Sequence, residues 1–336
     1  MPREALRRLS ALVIVMGASG CDNVEWGGAE LRLQPPPPAQ IGAPAEDTVP
    51  SVEERREAAL PAGPVLYMGR RDSTGLTLVP VGEILDDSIA PFPSDQAIPG
   101  YRARFVRELL PQGTEFVLFA EGVRVGTFTA TDIGTDESFC VPRPAVKGVA
   151  TWIPEAMEHE RFLAVPRNGE TAAWGPFQDP GTDFDQRQAS LTLAAEVIAQ
   201  VGADWPVDIL STRWDLQAVR LDQGEPGFAV SYLLRDRMRM ETPPPTAASL
   251  FLLGGREGAG YRADYVWYRQ VAQEGKGAPT FWEHVDWDGD GETEVLLEVL
   301  GEESRWVAAL DRRAGRWTRV FEDPCGASAP LVGAPG

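Results

Sequence analysis

The chain has 336 residues, 43% of them hydrophobic, with 34 glycines and 29 prolines, a balance that fits a loop-rich β protein better than a helical bundle. The formal charge is −19 and no basic patch of the kind nucleic-acid binding requires appears in the sequence, so no nucleic-acid partner is expected. Only two histidines and three cysteines are available for imidazole or thiol chemistry.

Arg3, Arg7 and Arg8 form a basic start, followed by the apolar run Leu9–Gly17, which is too short to span a bilayer as a permanent helix. Small residues then lead to Cys21. The pattern resembles a bacterial lipobox, although Ala18 stands where that motif usually has leucine. The resemblance implies that residues 1–20 are a removed signal peptide and that Cys21 carries lipid. The protein would then face the periplasm or exterior, held in the cell envelope by its N-terminal lipid. Asp22, next to the cysteine, resembles a retention signal of enteric bacteria, but the choice of membrane stays open. Removing residues 1–20 leaves 28 basic and 49 acidic residues, 28 − 49 = −21, which argues against direct attraction to anionic lipid. Cys140 and Cys325 remain, and an exported chain with one spare pair points to one disulfide, the alternative being two separate buried thiols.

Residues 21–62 read as a tether, since Gln34–Pro50 holds six prolines in seventeen residues and such a segment is extended and semi-rigid. Ser51 and Glu54 have capping-box spacing and suggest a short helix within it. A first β domain is expected over 63–170. Its clearest element is a hairpin of Phe116–Phe119 and Val123–Thr129 around the turn Ala120-Glu121-Gly122. No helix is expected in this half.

A turn-rich break over Trp174–Asp185 opens a second domain, 171–330. Its helix is expected to bury Leu191, Ala194, Ala195, Ile198 and Val201, with Asp183 or Asp185 as cap and Gly202 at the end. Strands follow, ending in a hairpin around Asp311–Gly315 that is expected to bring Trp306 near Trp317, as core packing or as a sugar platform. The fold class is therefore mainly β with one or two helices (α+β), in two β-rich subdomains. A weak repeat aligns Arg220 onward with Asp286 onward, offset by 66 residues, and pairs Asp222 with Asp288.

The sharpest chemical signal is "DWDGDGETE". Asp286, Asp288 and Asp290 offer carboxylates at alternate positions, and Gly289 and Gly291 let the backbone curl so that they converge. Glu292 would add its main-chain carbonyl and Glu294 a closing carboxylate. Several hard oxygens around one point suit Ca²⁺, whereas Mg²⁺ prefers to keep several waters. An EF-hand would need its acid where Leu297 stands, and helices where strands are expected. The loop instead resembles the FG-GAP repeat of integrin alpha chains, matching at Asp286, Asp288, Asp290, Gly291 and Glu294. That resemblance implies a calcium-holding turn between two strands. It leaves a β-propeller as an option rather than an expectation.

No catalytic motif emerges. His159-Glu160 lacks the second histidine of a zinc-protease helix, which would fall at Leu163, and nothing singles out either histidine for a triad. The expected function is a non-catalytic, lipid-anchored envelope protein whose calcium-stabilised β domain serves binding or assembly with an unidentified protein or glycan partner. The alternative is a calcium-dependent hydrolase of envelope glycans or peptides, for which a cleft lined by two carboxylates away from 286–294 would speak.

Overall fold

A computed structural model describes residues 59–86, 88–169, 175–221 and 224–326, all within one compact unit, Pro50–Gly336. The expected signal peptide, Cys21, residues 21–58 of the expected tether with Ser51 and Glu54, and Asp222 of the repeat lie outside the described residues. The tether's expected last residues instead belong to the body: Leu60 packs against the barrel core and the Ala62 N–H donates to Glu83 at 2.9 Å. The protein is mainly β.

The first segment forms a closed barrel. Strands β1 (Val65–Asp72), β2 (Gly75–Leu85), β4 (Glu115–Ala120), β5 (Val123–Asp136), β6 (Arg143–Trp152) and β7 (Arg161–Pro166) follow one another in the order β1-β7-β4-β5-β6-β2, and β2 pairs back onto β1. A short β3 (Ser88–Pro91) extends β2. Closure leaves these six strands without a free edge. Period-two alternation sorts their side chains. Tyr67, Phe116, Leu118, Phe128 and Phe162 fill the barrel, whereas Leu66, Met68, Val117, Phe119 and Leu163 face outward into a second core.

The helix α1 (Tyr101–Leu109) corrects the expectation of an all-strand first half. Tyr101 and Phe105, four apart on one face, pack with Phe92 in the barrel core. Its N-cap is Gly100 in the left-handed region, φ 75°, with no side-chain cap, so the usual Ser or Asp signal is missing.

The second segment makes two four-stranded antiparallel meanders. One comprises β8 (Arg213–Leu221), β9 (Glu225–Leu234), β10 (Ala248–Glu257) and β11 (Gly260–Gln270). The other comprises β12 (Ala278–Val285), β13 (Glu294–Leu300), β14 (Arg305–Arg313) and β15 (Arg316–Glu322). The β12–β15 sheet is buried on both faces. Leu296, Val307 and Ala309 meet the outside of the barrel, while Val295, Leu297, Val299, Ala308 and Leu310 meet the β8–β11 sheet. The opposite face of that sheet, through Phe228, Val230, Leu250 and Leu252, carries α2 (Phe184–Gln200). The order through the molecule is barrel, sheet, sheet, helix. Among the described residues the meanders do not close into a ring of blades. The two stretches aligned as a repeat both run from the end of a first strand into a second, β8 to β9 and β12 to β13.

Asp183 caps α2 in a reciprocal capping box with Gln186, and Gly202, φ 64°, follows the end. The buried stripe is Gln186, Ser190, Leu193, Ala194, Val197 and Ile198, so the helix is turned relative to the expected face: Ala195 and Val201 are exposed. The register of the last hairpin also corrects an expectation. Trp317 stands opposite Arg312, and Trp306 opposite Val299, so the two indoles lie at opposite ends of the hairpin. Both are buried in one core, at 4% and 6% exposure, which removes the sugar-platform reading.

The chain's end returns to the barrel. Asp323 accepts the backbone N–H of Val307 (2.9 Å) and a 2.5 Å bond from Arg143, whose other nitrogen donates to the carbonyls of Pro80 and Val81. Both partners of this ion pair are fully buried. Cys140 and Cys325 lie side by side with Cα atoms 6.3 Å apart, within the range a disulfide requires.

Candidate metal centres

The first centre is the β12–β13 connection. Strand β12 ends at Val285 and β13 begins at Glu294, so residues 286–293 must reverse the chain between paired strands. The aspartates organise that reversal through their own side chains. Asp286 accepts the N–H groups of Gly289 (2.6 Å) and Gly291 (3.1 Å), Asp288 that of Asp290 (3.1 Å), and Asp290 that of Glu292 (2.7 Å). Gly289 and Gly291 sit at φ 84° and 93°, where a side chain would be strained.

Ligand atoms of Asp286, Asp288, Asp290 and Glu294 all lie within 4.8 Å of one another. Glu292 lies exposed on the same turn, its carboxylate outside that group. Glu294 is 1% exposed; one oxygen accepts the Trp287 N–H at 2.8 Å, and the other, Oε1, is buried without a partner. Burial, added to the charges of Asp288 and Asp286, pushes the Glu294 carboxyl up to about 9 despite the Trp287 bond. Burial also raises Asp288, to about 6, reinforced by Asp290 and Asp286. Carboxyls raised by burial first and by neighbouring charge second are ones whose charged form a cation would stabilise.

A second cluster escaped the sequence reading. Both histidines of the chain converge on one buried carboxylate, Glu283 of β12. His159, in the loop before β7, brings Nε2 to 3.1 Å from Glu283 Oε2. His284 brings Nδ1 to 3.1 Å from Oε1 and its backbone N–H to 2.9 Å from the same oxygen. Glu121, in the β4–β5 turn, completes a group with His159 and Glu283 whose ligand atoms fall within 4.8 Å of one another. Burial opposes the Glu283 charge, but His159 and His284 overcome it and hold the carboxyl down at about 2. Glu121 is driven the other way, to about 9, by burial first and then by the charges of Glu283 and Asp179. The only local signal was the adjacency Glu283-His284, because the remaining partners are 124 and more residues distant in sequence.

No known family, curated protein or solved structure matches the chain. Function must therefore be argued from these sites. The surface hollow bordered by Asp236 and Glu241 offers two carboxylates, but Lys276 holds Asp236 at 2.6 Å and Arg239 holds Glu241. Neutralised acids of that kind are poorly placed for proton transfer.

Proposed function

We propose that the chain is a lipid-anchored, extracytoplasmic protein of the bacterial envelope whose β body is braced by one Ca²⁺ at residues 286–294. The observation that carries this reading is the meeting of Asp286, Asp288, Asp290 and the buried Glu294 around one point, with Glu294 Oε1 left without a partner. The carbonyl of Glu292 serves as a further ligand, as in the FG-GAP loop that the sequence resembles. The calcium role is structural, because the turn joins two strands of the sheet buried between the barrel and the β8–β11 sheet. The Cys140–Cys325 bridge belongs to the same reading, since an oxidising compartment keeps such a bond closed. The lipid on Cys21 positions a body whose work is non-catalytic, binding or assembly with a protein or glycan partner.

The test has two parts. Cys21→Ser should move the protein from the membrane to the soluble fraction, and calcium should raise its melting temperature. An anchored Cys21→Ser variant would remove the lipoprotein reading. A wild-type melting temperature indifferent to millimolar calcium would remove the metal.

A further inference from the structure

We propose that Glu121, His159 and Glu283 bind one zinc-class transition-metal ion, which ties the barrel to the β12–β15 sheet.

The three side chains come from separate elements: the β4–β5 turn, the loop before β7, and β12. Two ligands held tetrahedrally at zinc distances of ~2.0–2.2 Å stand about 3.3 Å apart. The 3.1 Å separation of His159 Nε2 and Glu283 Oε2 is close to that edge. Glu121 supplies the third ligand with an oxygen that is already dry: its Oε2 is buried and makes no hydrogen bond. A fourth position falls to water, because the His159 side chain is 20% exposed and leaves the centre reachable from solvent.

The neighbouring residues fit a metal ligand's support. Glu283 Oε1 is occupied by the backbone N–H of His284 and faced by its imidazole, which leaves Oε2 to point at His159. A carboxylate so oriented by a second shell is the arrangement metal sites use to fix their ligands. His284 itself is 2% exposed, and its Nδ1 sits near Oε1 without hydrogen-bond geometry. On its other side, Nε2 lies 3.3 Å from where a Cβ on Gly122 would stand, so the glycine of the β4–β5 turn makes room for the ring.

Charge argues in the same direction. A His159–Glu283 ion pair alone accounts for one carboxylate and leaves Glu121 against it, its Oε2 without a hydrogen-bond partner. Asp179 adds further negative potential, which Arg220, hydrogen-bonded to Gln178, offsets only in part. A divalent ion neutralises both glutamates at once. The imidazole donor separates this centre from the all-oxygen loop at 286–294: mixed nitrogen and oxygen donors suit zinc, whereas calcium and magnesium prefer oxygen alone.

The experiment uses the full chain purified in detergent, stripped with a chelator and titrated with zinc, with cobalt(II) as the spectroscopic probe. Wild type should bind one equivalent, show the visible bands of a tetrahedral cobalt centre, and melt at a higher temperature with zinc. Glu121→Gln keeps the size and hydrogen-bonding capacity of the half-buried side chain and should fold as wild type by circular dichroism, yet lose at least tenfold in zinc affinity. His159→Gln should abolish the cobalt bands. Asp288→Ala should leave both readouts intact. Zinc binding that survives Glu121→Gln but is lost in Asp288→Ala would assign the ion to the acidic loop and overturn the proposal. Absence of binding to wild type would overturn it as well, leaving a part-buried His159–Glu283 contact.

Discussion

Calcium should change how the protein's stability responds to pH, and Glu294 sets the size of the effect. Its carboxyl is pushed up to about 9 in the folded, metal-free protein, whereas in the unfolded chain it titrates near 4.5. Between those values the folded state holds a proton that the unfolded state has released. Metal-free stability therefore falls as pH rises, by at most about 1.4 kcal/mol per pH unit from this group. A bound Ca²⁺ needs the carboxylate, so it displaces that proton and cancels the loss. At a calcium concentration a hundredfold above the dissociation constant, mass action adds about 2.7 kcal/mol, on the order of 5 °C in melting temperature for a chain of this size. The assay is thermal unfolding from pH 5 to pH 9, in chelator and in 10 mM calcium. The gap between the two melting curves should open with rising pH. Glu121, also raised, contributes to both arms and drops out of the difference. A gap of constant width, or none, would refute the assignment of Glu294 as a ligand. Glu294→Gln, which removes the titration, should leave the metal-free curve flatter and insensitive to calcium.

Asp323→Ala should cost about 3–5 kcal/mol in denaturant unfolding, because it strands the fully buried Arg143 guanidinium, and the paired change Arg143→Met/Asp323→Leu should cost less. Replacing Cys140 by serine should lower stability by up to ~5 kcal/mol under oxidising conditions and by little after reduction; thiol labelling of untreated wild type at both cysteines would show that the bridge is absent. Asp288→Ala should abolish the calcium-induced rise in melting temperature while leaving the zinc response unchanged.

Local periodicity was legible wherever one strand had two different faces. The β4–β5 hairpin is where "EFVLFAEGVRV" puts it, because Glu121 and Gly122 both take positive φ, 51° and 73°, as a two-residue turn requires. The aspartate loop was legible because its converging carboxylates and its glycines lie within nine residues. Three features were not. Helix α1 begins on a left-handed glycine rather than a capping side chain. The α2 face is set by contact with Phe228 and Leu250 of the β8–β11 sheet, which helical spacing alone does not fix to within one residue. The Glu121–His159–Glu283 cluster exists only once the barrel meets β12, and no pattern within a single segment announces a meeting of residues so far apart.

The Arg143–Asp323 pair spans 180 residues and therefore sets an order of events for a chain that emerges N-terminus first. All six barrel strands have appeared by Pro166, and they can pair among themselves. Yet until Asp323 arrives, the barrel carries an arginine that lacks its ion-pair partner and is left with the carbonyls of Pro80 and Val81 and the rings of Phe92 and Phe139. A guanidinium in that condition favours solvent, and it holds that part of the barrel loose. The final tightening must wait for the last strand.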